Sequence, residues 1–161
     1  MIEAAFPWLL LVTTVGSGLM AGLFCSFSCF MMQALGSLPP AKGAAAMQAI
    51  NEKILTPSFL SVFMGTTALS IAMIILGVMN LGSTPHICAL VGGASYFFGC
   101  FVVTPAKNIP LNDRLAAVDA ESPEGAEVWA EYLRVWTRWN HVRSAATLVS
   151  TTVLSCALLM L

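Results

Sequence analysis

The most constraining feature of this chain is the length of its uncharged apolar runs. Residues 6–35, 58–81, 87–104 and 144–161 contain no Asp, Glu, Lys or Arg. A helix needs about 20 predominantly apolar residues to cross the hydrocarbon core of a bilayer. Inside that core only helices and closed barrels satisfy the backbone. The runs therefore predict an all-α, polytopic membrane four-helix bundle. Its spans fall at 6–35, 58–81, 87–104 and 142–161, with loops at 36–57 and 105–141, in a single membrane domain over 1–161. Charged residues make up only 9% of the chain, against about 25% in soluble domains. With seven basic and eight acidic residues there is no positive field to hold nucleic acid, so lipid is the expected partner.

Local signals place the helix ends. Residues 6–35 form a run too long for a signal peptide, and Met1-Ile2-Glu3 brings no positive charge before it. Pro39-Pro40 ends the first span and Pro105 the third. Asn80-Leu81-Gly82-Ser83-Thr84-Pro85 reads as a tight turn, which makes spans two and three an antiparallel hairpin. Residues 41–55 predict a short amphipathic helix, and 106–121 a loop with a short helix starting near Asn112 or Asp113. Ser122-Pro123 is an N-cap followed by proline at the first helical position. From there no breaker follows Gly125, so the last helix extends into the cytoplasm. Running to Leu161 it would be about 58 Å long.

All seven basic residues lie in two segments: Lys42 and Lys53 in loop 1, and Lys107, Arg114, Arg134, Arg138 and Arg143 in loop 3 or at its edge. The positive-inside rule then puts loops 1 and 3 in the cytoplasm and both termini outside, with a bacterial plasma membrane as the expected setting. Gly18, Gly22 and Ser26 form a small-residue stripe suited to close helix packing or to a homo-oligomer seam. Cys25, Cys29, Cys88, Cys100 and Cys156 are odd in number and lack a C-x-x-C pair, so they read as small apolar residues. His86, after the turn, reads as a surface histidine.

Polarity concentrates in two segments, Lys107–Leu115 and Trp136–Arg143. On a helix, Trp136, Asn140 and Arg143 share a face, with Trp129 and Tyr132 continuing it. Tryptophan, tyrosine and snorkelling arginine are common at membrane interfaces. Asn140, His141 and Arg143 fit that use less well, because polar side chains entering a span usually face the bundle interior. A histidine beside an asparagine and an arginine suits a general base with oxyanion stabilisers. Asn51, in Met47-Gln48-Ala49-Ile50-Asn51, is the remaining polar candidate.

Several segments together resemble a known family: Ala21-Gly22-Leu23-Phe24 with Phe27-Ser28, Leu38-Pro39-Pro40, Met47–Asn51, Asn108-Ile109-Pro110-Leu111-Asn112, and Trp136-Thr137-Arg138-Trp139-Asn140-His141-Val142-Arg143. The chain is similar over nearly its whole length to the anthrone oxygenase-like family of small four-helix membrane proteins. The resemblance implies oxidation of an apolar polycyclic phenol or anthrone by O₂ as co-substrate, with no added metal or flavin cofactor. It implies His141, Arg143, Asn140 and Asn112 as catalytic candidates, and Trp139, Trp136, Asn108 and Asn51 as substrate-binding candidates. In that scheme His141 removes a proton and the arginine and asparagines stabilise the enolate. A non-enzymatic protein that binds a lipid, quinone or partner helix at the same polar cluster is the alternative. A metal- or haem-dependent redox role using His141, His86 or the cysteines also stays open.

Overall fold

The structure, a computed structural model, describes the backbone of residues 2–161 and the side chains from residue 4. It is all-helical, with four helices long and apolar enough to cross a membrane. Helix α1 is α-helical over Ile2–Ser26, takes a π turn at Phe27–Met31 and resumes over Met32–Gly36. A short α2 (Pro40–Lys53) follows the two prolines. Helix α3 (Pro57–Met79) starts at the Thr56 N-cap, whose hydroxyl accepts from the Phe59 N–H at 3.2 Å. Helix α5 (Pro123–Leu159) starts at Ser122, whose hydroxyl accepts from the Gly125 N–H at 3.0 Å.

Helix α4 departs from the sequence expectation. It begins at Thr84 and does not stop at Pro105. It runs as α-helix over Thr84–Tyr96, through π turns at Phe97–Val102 and Thr104–Asn108, and on over Ile109–Ala116. Proline removes an N–H and crowds the preceding turn. A π turn relieves both by moving the bonds one residue along, and here the Ile109 N–H bonds the Thr104 carbonyl. The expected loop at 106–121 thus shrinks to 117–122.

The four long helices form a ring in the order α1, α3, α4, α5, with α2 laid across one end against α5 and the end of α4. Apolar side chains also cover the outside of the bundle, and small polar ones join the apolar core inside. Val12, Val15, Leu19, Ile71, Ile75, Val91, Phe98 and Leu148 face outward, whereas Thr13, Ser17, Thr66, Ser70, Thr147 and Ser150 are buried. This pattern suits lipid outside and helix contacts made by small polar residues inside, and the molecule is an integral membrane protein. Buried hydroxyls bond their own helix, as Thr13 does to the Leu9 carbonyl at 2.6 Å, or cross between helices, as Ser17 does to Ser150 at 2.9 Å.

The two ends of the bundle differ. At the terminal end, where α1 begins and α5 finishes, a Cβ on Gly77 would lie 2.6 Å from the His86 carbonyl, and one on Gly93 2.6 Å from the Ser70 carbonyl. Glycine there lets α3 and α4 touch backbone to backbone. His86, expected at the surface, is buried in this end. It stacks on Phe6 with ring centroids 4.0 Å apart, and its Nδ1 meets the Ser83 hydroxyl at 3.0 Å. The small-residue stripe of α1 is used unevenly. Gly18 meets Thr151 at van der Waals distance, Gly22 faces open space, and the tight approach is at Gly16 against Thr66. At the other end, which carries the basic loops, phenylalanines of α3 and α4 meet, Phe63 and Phe101 with ring centroids 5.9 Å apart.

Candidate functional site

At the basic end, beside α3 and α4, lies a cavity of about 1170 Å³. This exceeds the roughly 300–1,000 Å³ of most ligand pockets. Phe59, Phe63 and Met64 of α3 and Phe101, Thr104 and Ile109 of α4 line it, with Phe63 and Phe101 in contact at 5.9 Å between ring centroids. Helix α2 roofs it with Met47, Gln48 and Asn51. The Gln48 amide donates to the carbonyls of Leu115 at 2.7 Å and Val118 at 3.0 Å, fastening α2 to the end of α4. Gly43 brings α2 against α5, since a Cβ there would sit 2.9 Å from the Trp129 ring. Leu55, Leu60, Met64 and Ile109 are exposed among its lining residues, as are Glu52, Asp113, Asp119 and Glu121, so its rim has an apolar and an acidic part.

One face of α5 forms the back of the site. Trp129, Tyr132 and Trp136 recur every three or four residues and stack in a column, with centroids 5.8 and 5.4 Å apart. Phe27 meets Trp136 edge-on at 5.6 Å. One more turn along, the Arg143 guanidinium lies 4.3 Å from the Phe24 ring centroid and 5.1 Å from that of Trp136. The arginine reaches back toward its own N-terminal side, as helical side chains do.

Asn140 ties this arginine to α1. Its amide donates to the Phe24 carbonyl and to the Ser28 hydroxyl, both at 2.8 Å, and its oxygen accepts from Arg143 Nη2 at 2.8 Å. Ser28 also meets Ser144 at 2.9 Å. Arg143 Nη1 donates to the Thr104 hydroxyl at 3.4 Å, while its Nε has no partner. Arg143 is only 6% exposed, and no carboxylate among the described residues pairs with it. A second polar group sits nearer the loops. Tyr132 donates its hydroxyl to Asn112 Oδ1 at 2.7 Å and accepts from the Asn51 amide at 3.2 Å. Farther out, Arg114 grips Glu131 with two bonds of 3.0 and 2.9 Å and holds that carboxyl below its usual range.

Arg143, Trp136, Asn112 and Asn51 line one cavity, and Asn140 is buried behind Arg143, to which it is bonded. It does not bring in His141 or Trp139. His141 is exposed. Two residues on a helix are separated by about 200° of rotation, so Arg143 turned inward leaves His141 turned outward. Trp139 is half-buried on the outside, with Lys107 Nζ 5.0 Å from its ring centroid. Asn108 is buried but lines no cavity wall. Its amide donates to the Trp136 carbonyl at 3.3 Å, fastening the distorted part of α4 to α5.

Sequence reasoning missed Phe24, Thr104, Gln48 and Tyr132 as site residues. Phe24 stood in one of the segments that carried the resemblance, and Tyr132 lay on the same α5 face as Trp136. Thr104 gave no signal, because the helix was expected to end there. Among the described residues no three His, Cys, Asp or Glu side chains converge.

Comparison with protein families matches the anthrone oxygenase family over residues 58–153. No curated protein and no solved structure matches the chain. The match is shorter than the resemblance read from the sequence. It takes in α3, α4 and most of α5, with Asn108, Asn112, Trp136, Asn140 and Arg143. It leaves out α1 and α2, which supply Phe24, Phe27 and Asn51 to the same cavity. Since the match spans more than half of the 161 residues, the chain belongs to the anthrone oxygenase family.

Proposed function

We propose that this chain is a membrane-bound oxygenase that admits an apolar polycyclic phenol or anthrone from the lipid and oxidises it with O₂. The observation that carries this reading is a large, mostly apolar cavity lined by phenylalanines, with one buried cation, Arg143, in its wall. Membership of the anthrone oxygenase family supports the reaction class. The basic loops bordering the cavity belong on the cytoplasmic side by the positive-inside rule.

An anthrone carries a methylene group between two aryl rings, para to a ketone across the central ring. Loss of one methylene proton gives an enolate whose charge collects on the ketone oxygen. Arg143, steadied by Asn140 and Thr104, stabilises that charge where it develops. Phe59, Phe63 and Phe101 line the cavity and offer apolar ring surface to a planar substrate. The electron-rich carbon then adds O₂, and loss of water from the resulting hydroperoxide leaves the quinone carbonyl. Carbon and O₂ supply all the electrons, so no metal or flavin is invoked. The exposed position of His141 removes it from the proton step in this scheme. The proton is lost to solvent instead, and a proton from water converts the peroxide anion to the hydroperoxide.

Oxygen uptake by purified protein in mild detergent tests the proposal, with an anthrone supplied anaerobically and air then admitted. Quinone absorbance is followed beside the uncatalysed oxidation. Acceleration in the wild type and its loss in Arg143→Gln is the expected result. Equal rates with and without protein would overturn the oxygenase reading and favour a binding role for the cavity.

A further inference from the structure

Arg143 poses a problem of charge. Its guanidinium is 6% exposed and lines the cavity, and three of its five N–H donors have no protein acceptor. A buried cation without an anion is costly and persists where a partner completes it. The neighbours already present are neutral: two aromatic faces, an amide oxygen and a hydroxyl. The carboxylates lining the cavity, Glu52, Asp113, Asp119 and Glu121, come from its mouth and do not pair with Arg143. Trp136 adds a second buried donor without a partner, its indole Nε1.

We infer that the cavity takes its ligand already as an anion, an aryl oxide or enolate whose oxygen is the counter-ion that Arg143 lacks. This rests on the function proposed above and narrows its substrate class. The ligand needs a free, ionisable aryl hydroxyl or an enolisable ketone on one edge of a flat ring system. A hydrocarbon of the same shape, or the same compound with that oxygen methylated, leaves the arginine uncompensated and is rejected. The phenylalanines lining the cavity, Phe59, Phe63 and Phe101, favour a planar anion over the carboxylate of a fatty acid, whose flexible chain gains nothing from ring faces.

The test uses the full chain in neutral detergent with a hydroxyanthraquinone, which changes colour on ionisation and is already oxidised, so nothing turns over. An apolar cavity alone raises the pH at which a phenol ionises, and a nearby cation lowers it. The expected result is a midpoint lowered by about one pH unit or more relative to empty micelles. Arg143→Gln should abolish that lowering and Arg143→Lys restore part of it. The O-methyl ether of the probe should bind at least about tenfold more weakly, about 1.4 kcal/mol. Tyr132, Cys100 and the four carboxylates at the mouth are common to wild type and variants, so the difference isolates the guanidinium. A midpoint unmoved or raised, equal binding of the ether, or displacement by a long-chain carboxylate at equal concentration would each overturn the inference. A raised midpoint in protein that still consumes O₂ with an anthrone overturns the anion site alone. A lowered midpoint without oxygen uptake keeps the anion site and overturns the reaction.

Discussion

The two ends of this bundle are built from the same four helices and pack in opposite ways. At the terminal end, Gly77 and Gly93 bring α3 and α4 into backbone contact, and Phe6, Leu10, Met73, Ala89, Leu154 and Ala157 fill the interior. At the basic end, Phe59 and Phe63 of α3 pack with Phe101 of α4, and a cavity opens beside them under α2. Residue size along one helix pair thus sets where the bundle closes and where it holds a cavity. Both ends are packed: the terminal end closes α3 on α4, while the basic end packs its core between α1, α2 and α5, from Phe27 to Trp136, and leaves the cavity beside it.

Gly93→Leu is the change expected to break this division most severely. Its side chain has to enter space held by the Ser70 carbonyl and the Met73 Cβ. Overpacking of this kind costs about 3 kcal/mol or more, so the detergent-solubilised protein should aggregate or lose most of its thermal stability. Gly22→Leu, facing open space, should leave the melting temperature close to wild type. Equal behaviour of the two variants would contradict the contrast.

Arg143→Gln probes the other end. Loss of a charge stabiliser costs about 10²–10³ in turnover. Removing an uncompensated buried charge should leave thermal stability unchanged or raise it. A loss of both would make Arg143 a structural residue. Asn140→Ala should affect both quantities, because it frees the Phe24 carbonyl and Ser28 as well as the arginine. A loss of about 1–3 kcal/mol with a smaller fall in turnover than Arg143→Gln is expected from denaturation and oxygen-uptake measurements.

Ser17→Ala removes one hydroxyl contact to Ser150, far from the cavity. It should cost about 1 kcal/mol and leave turnover intact. His141→Ala should have the smallest effect, with oxygen uptake close to the wild-type rate. A large loss there would return the proton step to His141 and require α5 to rotate or a partner surface to cover it.

How much of this was legible depends on the range of the interaction. The four apolar helices and the Ser122 cap follow from neighbours within a few positions. The inward face of α5 was also readable, since Trp136, Asn140 and Arg143 fall at helical spacing. His141 lies exposed, away from Arg143, because adjacency in sequence is not adjacency on a helix face. The continuation of α4 through Pro105 was hidden because a π turn is local only once neighbouring helices hold it. Phe24 and Ser28 lie more than a hundred residues from the Asn140 that binds them, and no local pattern joins them. His86 was read from its turn, yet Phe6 on another helix decides its burial.

The sequence by itself determined that this chain lives in a membrane as four helices, because transfer of apolar segments into lipid is summed over each segment. Only the tertiary structure decided which polar residues share one space and where that space opens. Those outcomes depend on how closely α3 and α4 approach along their length and on the register shifts in α1 and α4, both set by contacts between distant helices.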